Sequence, residues 1–202
     1  MENSAREFYS ENAEKQAESY GDEDLAQEFL DMRERFADQS GGKLLDAGCG
    51  HGRDSKFFSE KGLKVTGIDI SQELIEIARE KSDAEFKVMD FRDLGFSKES
   101  FDSIWASASI FFVPPEDMQK AVEKFSRVLR PGGRLFVSYK LGSGKFVKEK
   151  WRSKVEEWHI SREEGREILE SSGFKIEEEK INRSENGNDF ISFICVKPKE
   201  SI

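Results

Sequence analysis

The chain has 202 residues, a formal net charge of −9, and equal shares, 36% each, of hydrophobic and charged residues. That length suits one buried α/β core and is short for two, so a single domain over 1–202 is expected. The acidic balance weighs against a nucleic-acid backbone as partner. No run approaches the ~20 apolar residues of a membrane span, and no charged-then-apolar leader opens the sequence, so a cytoplasmic location is expected.

In chain order, polar helical segments are predicted over about 4–19 and 22–38. The second has Leu25, Phe29, Met32, the Arg33 stem and Phe36 at helical spacing. Strands and helices then alternate: strand 43–47, helix 53–61, strand 64–69, helix 72–81 capped by Ser71, strand 85–89, strand 101–106, helix 116–129, strand 133–139. Pro114-Pro115 opens the last of these helices, and Pro131-Gly132-Gly133 stops it. The basic cluster Lys140 to Lys154 reads as a solvated helix face at least as well as a phosphate track. Ser161 and Glu164 form a capping box for a helix to about Ser171, ended by Gly173. Two strand-like runs, 174–183 and 190–197, flank the polar turn 184–188, an antiparallel hairpin signal.

Two cysteines, Cys49 and Cys195, cannot make a disulfide framework, and two histidines, His51 and His159, argue against a His-rich metal site, so no metal is expected. The most informative stretch is Leu44-Leu45-Asp46-Ala47-Gly48-Cys49-Gly50-His51-Gly52-Arg53-Asp54. An apolar run ends in a carboxylate, and three glycines follow at alternate positions before a helix. Glycine lets backbone pass close to a ligand and take positive φ without steric cost. A dinucleotide fingerprint instead spaces its glycines G-x-G-x-x-G and keeps its acid about 20 residues downstream. Asp46 would put negative charge where a diphosphate lies; a ligand carrying an ammonium and a sulfonium suits it better. A nicotinamide oxidoreductase is therefore the weaker alternative.

Asp46, Gly48, Gly50 and Gly52 resemble the first motif of the class I S-adenosylmethionine (SAM)-dependent methyltransferases, D/E-x-G-x-G-x-G. The resemblance implies a Rossmann-like, three-layer α/β fold with a seven-stranded sheet, one edge strand reversed, and an antiparallel C-terminal hairpin. It also implies SAM as cofactor, and transfer of its methyl group to a small-molecule acceptor by in-line displacement. The cofactor site implied comprises Asp46, Gly48, Cys49, Gly50, Arg53, Asp69, Ile70, Asp90, Phe91 and Ala106. The glycine-turn N–H groups would hold the methionine carboxylate, Asp46 would face its amino group, Asp69 the ribose hydroxyls, and Asp90 the adenine amine.

The run Trp105-Ala106-Ser107-Ala108-Ser109-Ile110-Phe111-Phe112-Val113-Pro114 is similar to a tellurite-resistance-like subgroup, with Phe112 where a histidine is common. That substitution leaves a SAM-binding regulatory or sensor protein as a second reading. Residues 1–40, with Tyr9-Ser10-Glu11-Asn12-Ala13, resemble the family's helical lid. On the acceptor side the candidates are Tyr9, Phe112, Lys140, His159 and Arg183; none is singled out as catalytic. An Asn/Asp-Pro-Pro-Tyr run after the fourth strand is missing, which disfavours adenine-N6 methylation. Monomer and homodimer are equally compatible with this surface.

Overall fold

The computed structural model describes residues 4–21, 26–183 and 189–199. Helices α1 (Ser4–Glu11), α2 (Ala13–Ser19) and α3 (Gln27–Gln39) precede β1 (Lys43–Ala47), α4 (Arg53–Glu60), β2 (Lys64–Asp69), α5 (Gln72–Lys81) and β3 (Glu85–Val88). Then come β4 (Phe101–Ala106), α6 (Pro115–Val128), β5 (Leu129–Leu141), β6 (Gly144–Lys150), β7 (Ser153–Ile160), α7 (Arg162–Ser171), β8 (Lys175–Asn182) and β9 (Phe190–Val196). Capping chemistry sets several of these boundaries. Ser71 Oγ accepts from the Leu74 N–H, Pro115 sits in the first turn of α6, and Ser161 and Glu164 close a reciprocal capping box.

Seven strands run β3-β2-β1-β4-β5-β9-β8. β1 to β5 pair in parallel, whereas β9 is antiparallel to both β5 and β8. The reversed strand thus lies one position in from the edge rather than on it. The two C-terminal strands form the expected hairpin; the turn assigned to 184–188 lies outside the described residues, as does Leu25.

Helices cover both faces, giving three layers. On one face Met118, Val122 and Phe125 of α6 and Ile168 and Leu169 of α7 join the main apolar cluster. On the other, Met32 and Phe36 of α3 and Phe58 of α4 pack against Trp105 and Phe136, whose rings stack at 3.8 Å. Trp105 is fully buried, and its indole N–H donates to Asp54 Oδ2 at 2.9 Å. Each such buried aromatic contributes on the order of 2–3 kcal/mol through area removed from water.

The segment from 140 to 154 corrects the expectation of a helix face. It is a β-hairpin, β6–β7, registered from Gly144↔His159 to Lys150↔Ser153 and attached to the end of β5 through Lys140↔His159 and Leu141↔Ile160. Its two-residue turn, Trp151-Arg152, has φ of 53° and 68°. Two positive φ values suit a hairpin turn that favours Asn-Gly, so a Trp-Arg pair carries no sequence signal for it. β6 is also exposed nearly throughout, so no buried face imposes an alternating apolar pattern. Packing selects Trp151 for this turn: its ring stacks on Phe8 of α1 at 5.9 Å, tying the hairpin to the N-terminal helix.

Arg152 is exposed and gains nothing comparable for its left-handed backbone. Arg152→Gly is expected to raise stability by about 1 kcal/mol, or ~2–4 °C in thermal unfolding. An unchanged or lower midpoint would show that the turn is unstrained.

Candidate active site

A cavity of about 260 Å³ opens where the parallel strands end, lined along one side by the β1–α4 turn and the tips of β2 and β3. In doubly wound sheets the crevice at the strands' carboxyl ends is the expected ligand position. The turn is built on glycine. Gly48, Gly50 and Gly52 have φ of 82°, 54° and 83°. A Cβ on Gly48 would lie 2.3 Å from Ser109 Cβ, and one on Gly52 2.9 Å from Ala78 Cβ. Gly50 has open space where a Cβ would be, so there the missing side chain leaves room beside the cavity.

The amides of the three glycines are taken up within the protein, contrary to the expectation that they hold a carboxylate. Gly48 N–H donates to Ile68 O, Gly52 N–H to Cys49 O, and Gly50 N–H to Asp69 Oδ2 at 3.0 Å. Internal hydrogen bonds stiffen the turn and leave close approach as the glycines' contribution.

Two carboxylates flank it. Asp69, at the tip of β2, accepts from Gly50 N–H on one oxygen and from Ser71 N–H, at 2.9 Å, on the other. Each oxygen keeps a lone pair for a vicinal diol. Burial raises its pKa, and the backbone N–H groups work against that rise. Asp46, at the tip of β1, is buried and takes a 2.6 Å hydrogen bond from Ser55 Oγ. Its pKa is pushed up to about 8 by burial first and the Asp54 charge second; Ser55 and Arg53 oppose the shift.

Asp54 behaves oppositely. Burial works against its charge, but the Arg53 and Arg33 guanidinium groups and the Trp105 indole outweigh it and hold its pKa below the ordinary value. Arg33 Nη1 lies 2.8 Å from Asp54 Oδ1, and both side chains are buried. Sequence periodicity placed Arg33 on the apolar face of its helix without showing this partner, which comes from a different element.

Of the remaining cofactor-side candidates, Cys49, Arg53, Ile70, Asp90 and Phe91 line the cavity. Ala106 does not: it is fully buried in the main core, and the wall beyond β4 is made by Ser107 and Ala108. Ala108 has φ of 48°, and its N–H is held by Ser138 Oγ at 2.8 Å. Asp90 is engaged by Arg92, which approaches both its oxygens within 3.0 Å and bridges on to Asp117.

Among the acceptor-side candidates, Tyr9, Phe112 and Lys140 reach the cavity. His159 does not line it; its ring stacks on Phe146 at 4.1 Å and its Nε2 faces Glu157 at 3.6 Å. Arg183 is 78% exposed and faces Asp189 at 3.6 Å, outside the cavity. Sequence reading missed Lys148 and Glu157, which arrive with the hairpin, and Gln16 and Tyr20 as wall residues from the N-terminal segment. No His/Cys/Asp/Glu group suited to a metal ion occurs among the described residues, and none of their helices is long and apolar enough to cross a membrane.

Residues 44–133 match a family model described as a methyltransferase domain. The chain is 32% identical over 132 residues to a malonyl-[acyl-carrier protein] O-methyltransferase from Enterobacter lignolyticus, covering 64% of this chain and 52% of that protein. It is 34% identical over 115 residues to a ubiquinone biosynthesis O-methyltransferase from Xanthomonas oryzae pv. oryzae, covering 54% and 47%. The chain thus spans about half the length of these curated relatives. Among solved structures, a SAM-dependent methyltransferase from Methanosarcina mazei superposes with a TM-score of 0.71 at 25% identity, over 78% of this chain and 93% of that one.

The Asp46 environment makes stability depend on pH. Unfolded, Asp46 ionises near its ordinary 3.8; folded, near 8. Its contribution to stability is therefore complete only below pH 3.8 and is lost as pH rises through 8. Asp46→Asn is expected to exceed the wild type at pH 8.5 by about 1 kcal/mol or more, ~2–4 °C, with the gap closing toward pH 4. Thermal unfolding at both pH values measures this; a variant less stable than the wild type at pH 8.5 would contradict the assignment.

Proposed function

We propose, for a chain with the class I SAM-dependent methyltransferase fold, that it binds SAM in this cavity and transfers the methyl group to a small-molecule acceptor. The observation that carries this reading is the pair Asp46 and Asp69 on either side of a glycine turn, facing one cavity at the carboxyl ends of β1 and β2. The donor set fits the cofactor: an acid for an ammonium, a two-oxygen acceptor for a ribose diol, and apolar Ile70, Leu74, Met89 and Phe91 for a purine. Both curated relatives named above are O-methyltransferases, which favours oxygen as the acceptor atom. The Trp105–Pro114 run supports placing the chain near the tellurite-resistance-like subgroup.

When bound, SAM supplies a methyl group activated by its sulfonium. The chain's own part is positioning and exclusion of water. Asp46, poised between protonated and ionised forms, gains its charge when an ammonium arrives, so cofactor affinity rises with pH toward the alkaline side. Asp69 fixes the ribose while its grip on Gly50 N–H keeps the turn in place. Arg53, paired with Asp54 and on the cavity wall beside the glycine turn, adds positive charge on the side where a methionine carboxylate would lie. With Asp90 engaged by Arg92, we assign adenine recognition to the apolar walls and Phe91 in addition to that carboxylate.

We further propose that residues 1–202 work as one domain with 1–40 supplying a lid over the cavity, its covering part being α1 and α2 because α3 packs against the sheet through Met32 and Phe36. Ala5, Tyr9 and Gln16 form part of its wall, and α1 also packs on β7 and α5. The lid reading explains how the site sheds water without a moving domain.

Calorimetry tests the cofactor assignment. SAM and S-adenosylhomocysteine should both bind, and Asp69→Ala should weaken both by at least about tenfold, the loss of one charge-assisted hydrogen-bonding partner. Asp69→Asn, which keeps one of the two backbone hydrogen bonds to the side chain, should give a loss of the same sign. NAD binding with indifference to SAM would reverse the assignment.

A further inference from the structure

Past the cofactor end, the cavity continues into a chamber assembled from separate elements. Tyr9 of α1, Phe111 and Phe112 of the short 3₁₀ turn Ile110–Phe112, and Phe190 of β9 provide rings. Tyr9 and Phe112 meet edge to face at 5.2 Å, and Phe111 and Phe190 at 5.8 Å. Into this ring-walled space comes one deeply buried cation. Lys140 is 4% exposed, and its Nζ lies 4.0 Å from the Phe190 ring centroid and 5.6 Å from that of Phe111.

Lys140 is not a surface lysine folded over. Its backbone is paired on both sides, with Phe190 across β5–β9 and with His159 across β5–β7. A lysine almost never reaches such burial without a charge to serve. The charged groups around it are Lys148 of β6, Glu157 and His159 of β7, and Asp189 just before β9. Burial and Lys148 lower the Lys140 pKa to about 8, while Glu157 and Asp189 pull it upward. Lys148 and Glu157 line the same cavity, so two ammonium groups face one carboxylate there and leave a net attraction for an arriving anion.

Resting on the methyl-transfer reading above, we propose that Lys140 binds the acceptor, and that the acceptor is a planar apolar molecule bearing an anionic oxygen, a phenolate or an aromatic carboxylate. The oxygen sits on the Lys140 ammonium and the planar body lies against the Phe111, Phe112 and Tyr9 rings. Entering already ionised, the oxygen forms its bond to the methyl carbon as the carbon–sulfur bond breaks. The electron pair of that bond stays on sulfur. The sulfonium and oxyanion charges cancel, and no proton has to leave, so the missing histidine at position 112 takes nothing from the reaction.

Binding can be read without turnover. Protein saturated with S-adenosylhomocysteine is titrated with 4-nitrophenol, whose neutral and ionised forms differ in colour, and with benzoate and benzylamine as competitors. The proposal expects saturable binding of nitrophenolate or of benzoate, with at least tenfold preference for the anion over the neutral acid. Lys140→Met should remove that preference and Lys140→Arg should keep it, while calorimetric affinity for S-adenosylhomocysteine stays within about twofold in both. Equal competition by benzylamine, an unchanged anion preference in Lys140→Met, or no saturable binding of either oxygen acid would overturn it. Loss of S-adenosylhomocysteine binding in the wild type would instead strike the methyl-transfer reading itself.

Discussion

The site is organised around two buried carboxylates beneath one glycine turn, and they have been given opposite environments. Asp54 is satisfied: Arg33, Arg53 and the Trp105 indole each donate to it, and its charge is held. Asp46, nearby, has Ser55 as its hydrogen-bond donor and feels the Asp54 charge as repulsion. Two like charges in a desolvated space cannot both ionise cheaply, so satisfying one pushes the other toward its neutral form. The structural role falls to Asp54, which ties α3, α4 and β4 together. Asp46 is left able to respond to a cationic ligand.

That division explains the aromatic mass beneath the turn. Trp105, Phe136, Phe36 and Phe58 keep water from Asp54 and Arg33, so the ion pair stays tight and the turn above it stays rigid. Removing one partner from a buried pair of this kind strands the other charge, at a cost of about 3–5 kcal/mol. Above the turn, the β6–β7 hairpin and α1 lean on each other through Phe8, Val155 and Trp151. Together with the 3₁₀ turn they enclose the far side of the cavity, so one end rests on the sheet and the other on the added elements.

The alternating strands and helices from Lys43 to Val128 were legible because their apolar runs are short and bounded by Gly, Pro and Ser caps, signals that act locally. Gly48, Gly50 and Gly52 announced the turn for the same reason. Their amides were misjudged because hydrogen bonds to Ile68 and Asp69 depend on a neighbouring strand, which spacing does not reveal. The hairpin was hidden by a turn whose left-handed residues are Trp151 and Arg152, chosen by packing on α1 instead of by backbone preference. Arg33 and Ala106 illustrate one limit: an apolar-face position and a strand tip look alike in sequence whether they face core, ion pair or ligand.

The central claim is that Asp46 is largely neutral at pH 7 in the free protein and becomes ionised when a cationic ligand binds. Carboxyl ¹³C NMR titration of aspartate-labelled protein, with and without saturating SAM, tests it most directly. The account predicts an Asp46 carboxyl that titrates near 8 in the free protein and moves at least one unit lower in the complex, worth about 1.4 kcal/mol of binding. A resonance that titrates near 4 in both states, or that SAM leaves unmoved, would contradict it.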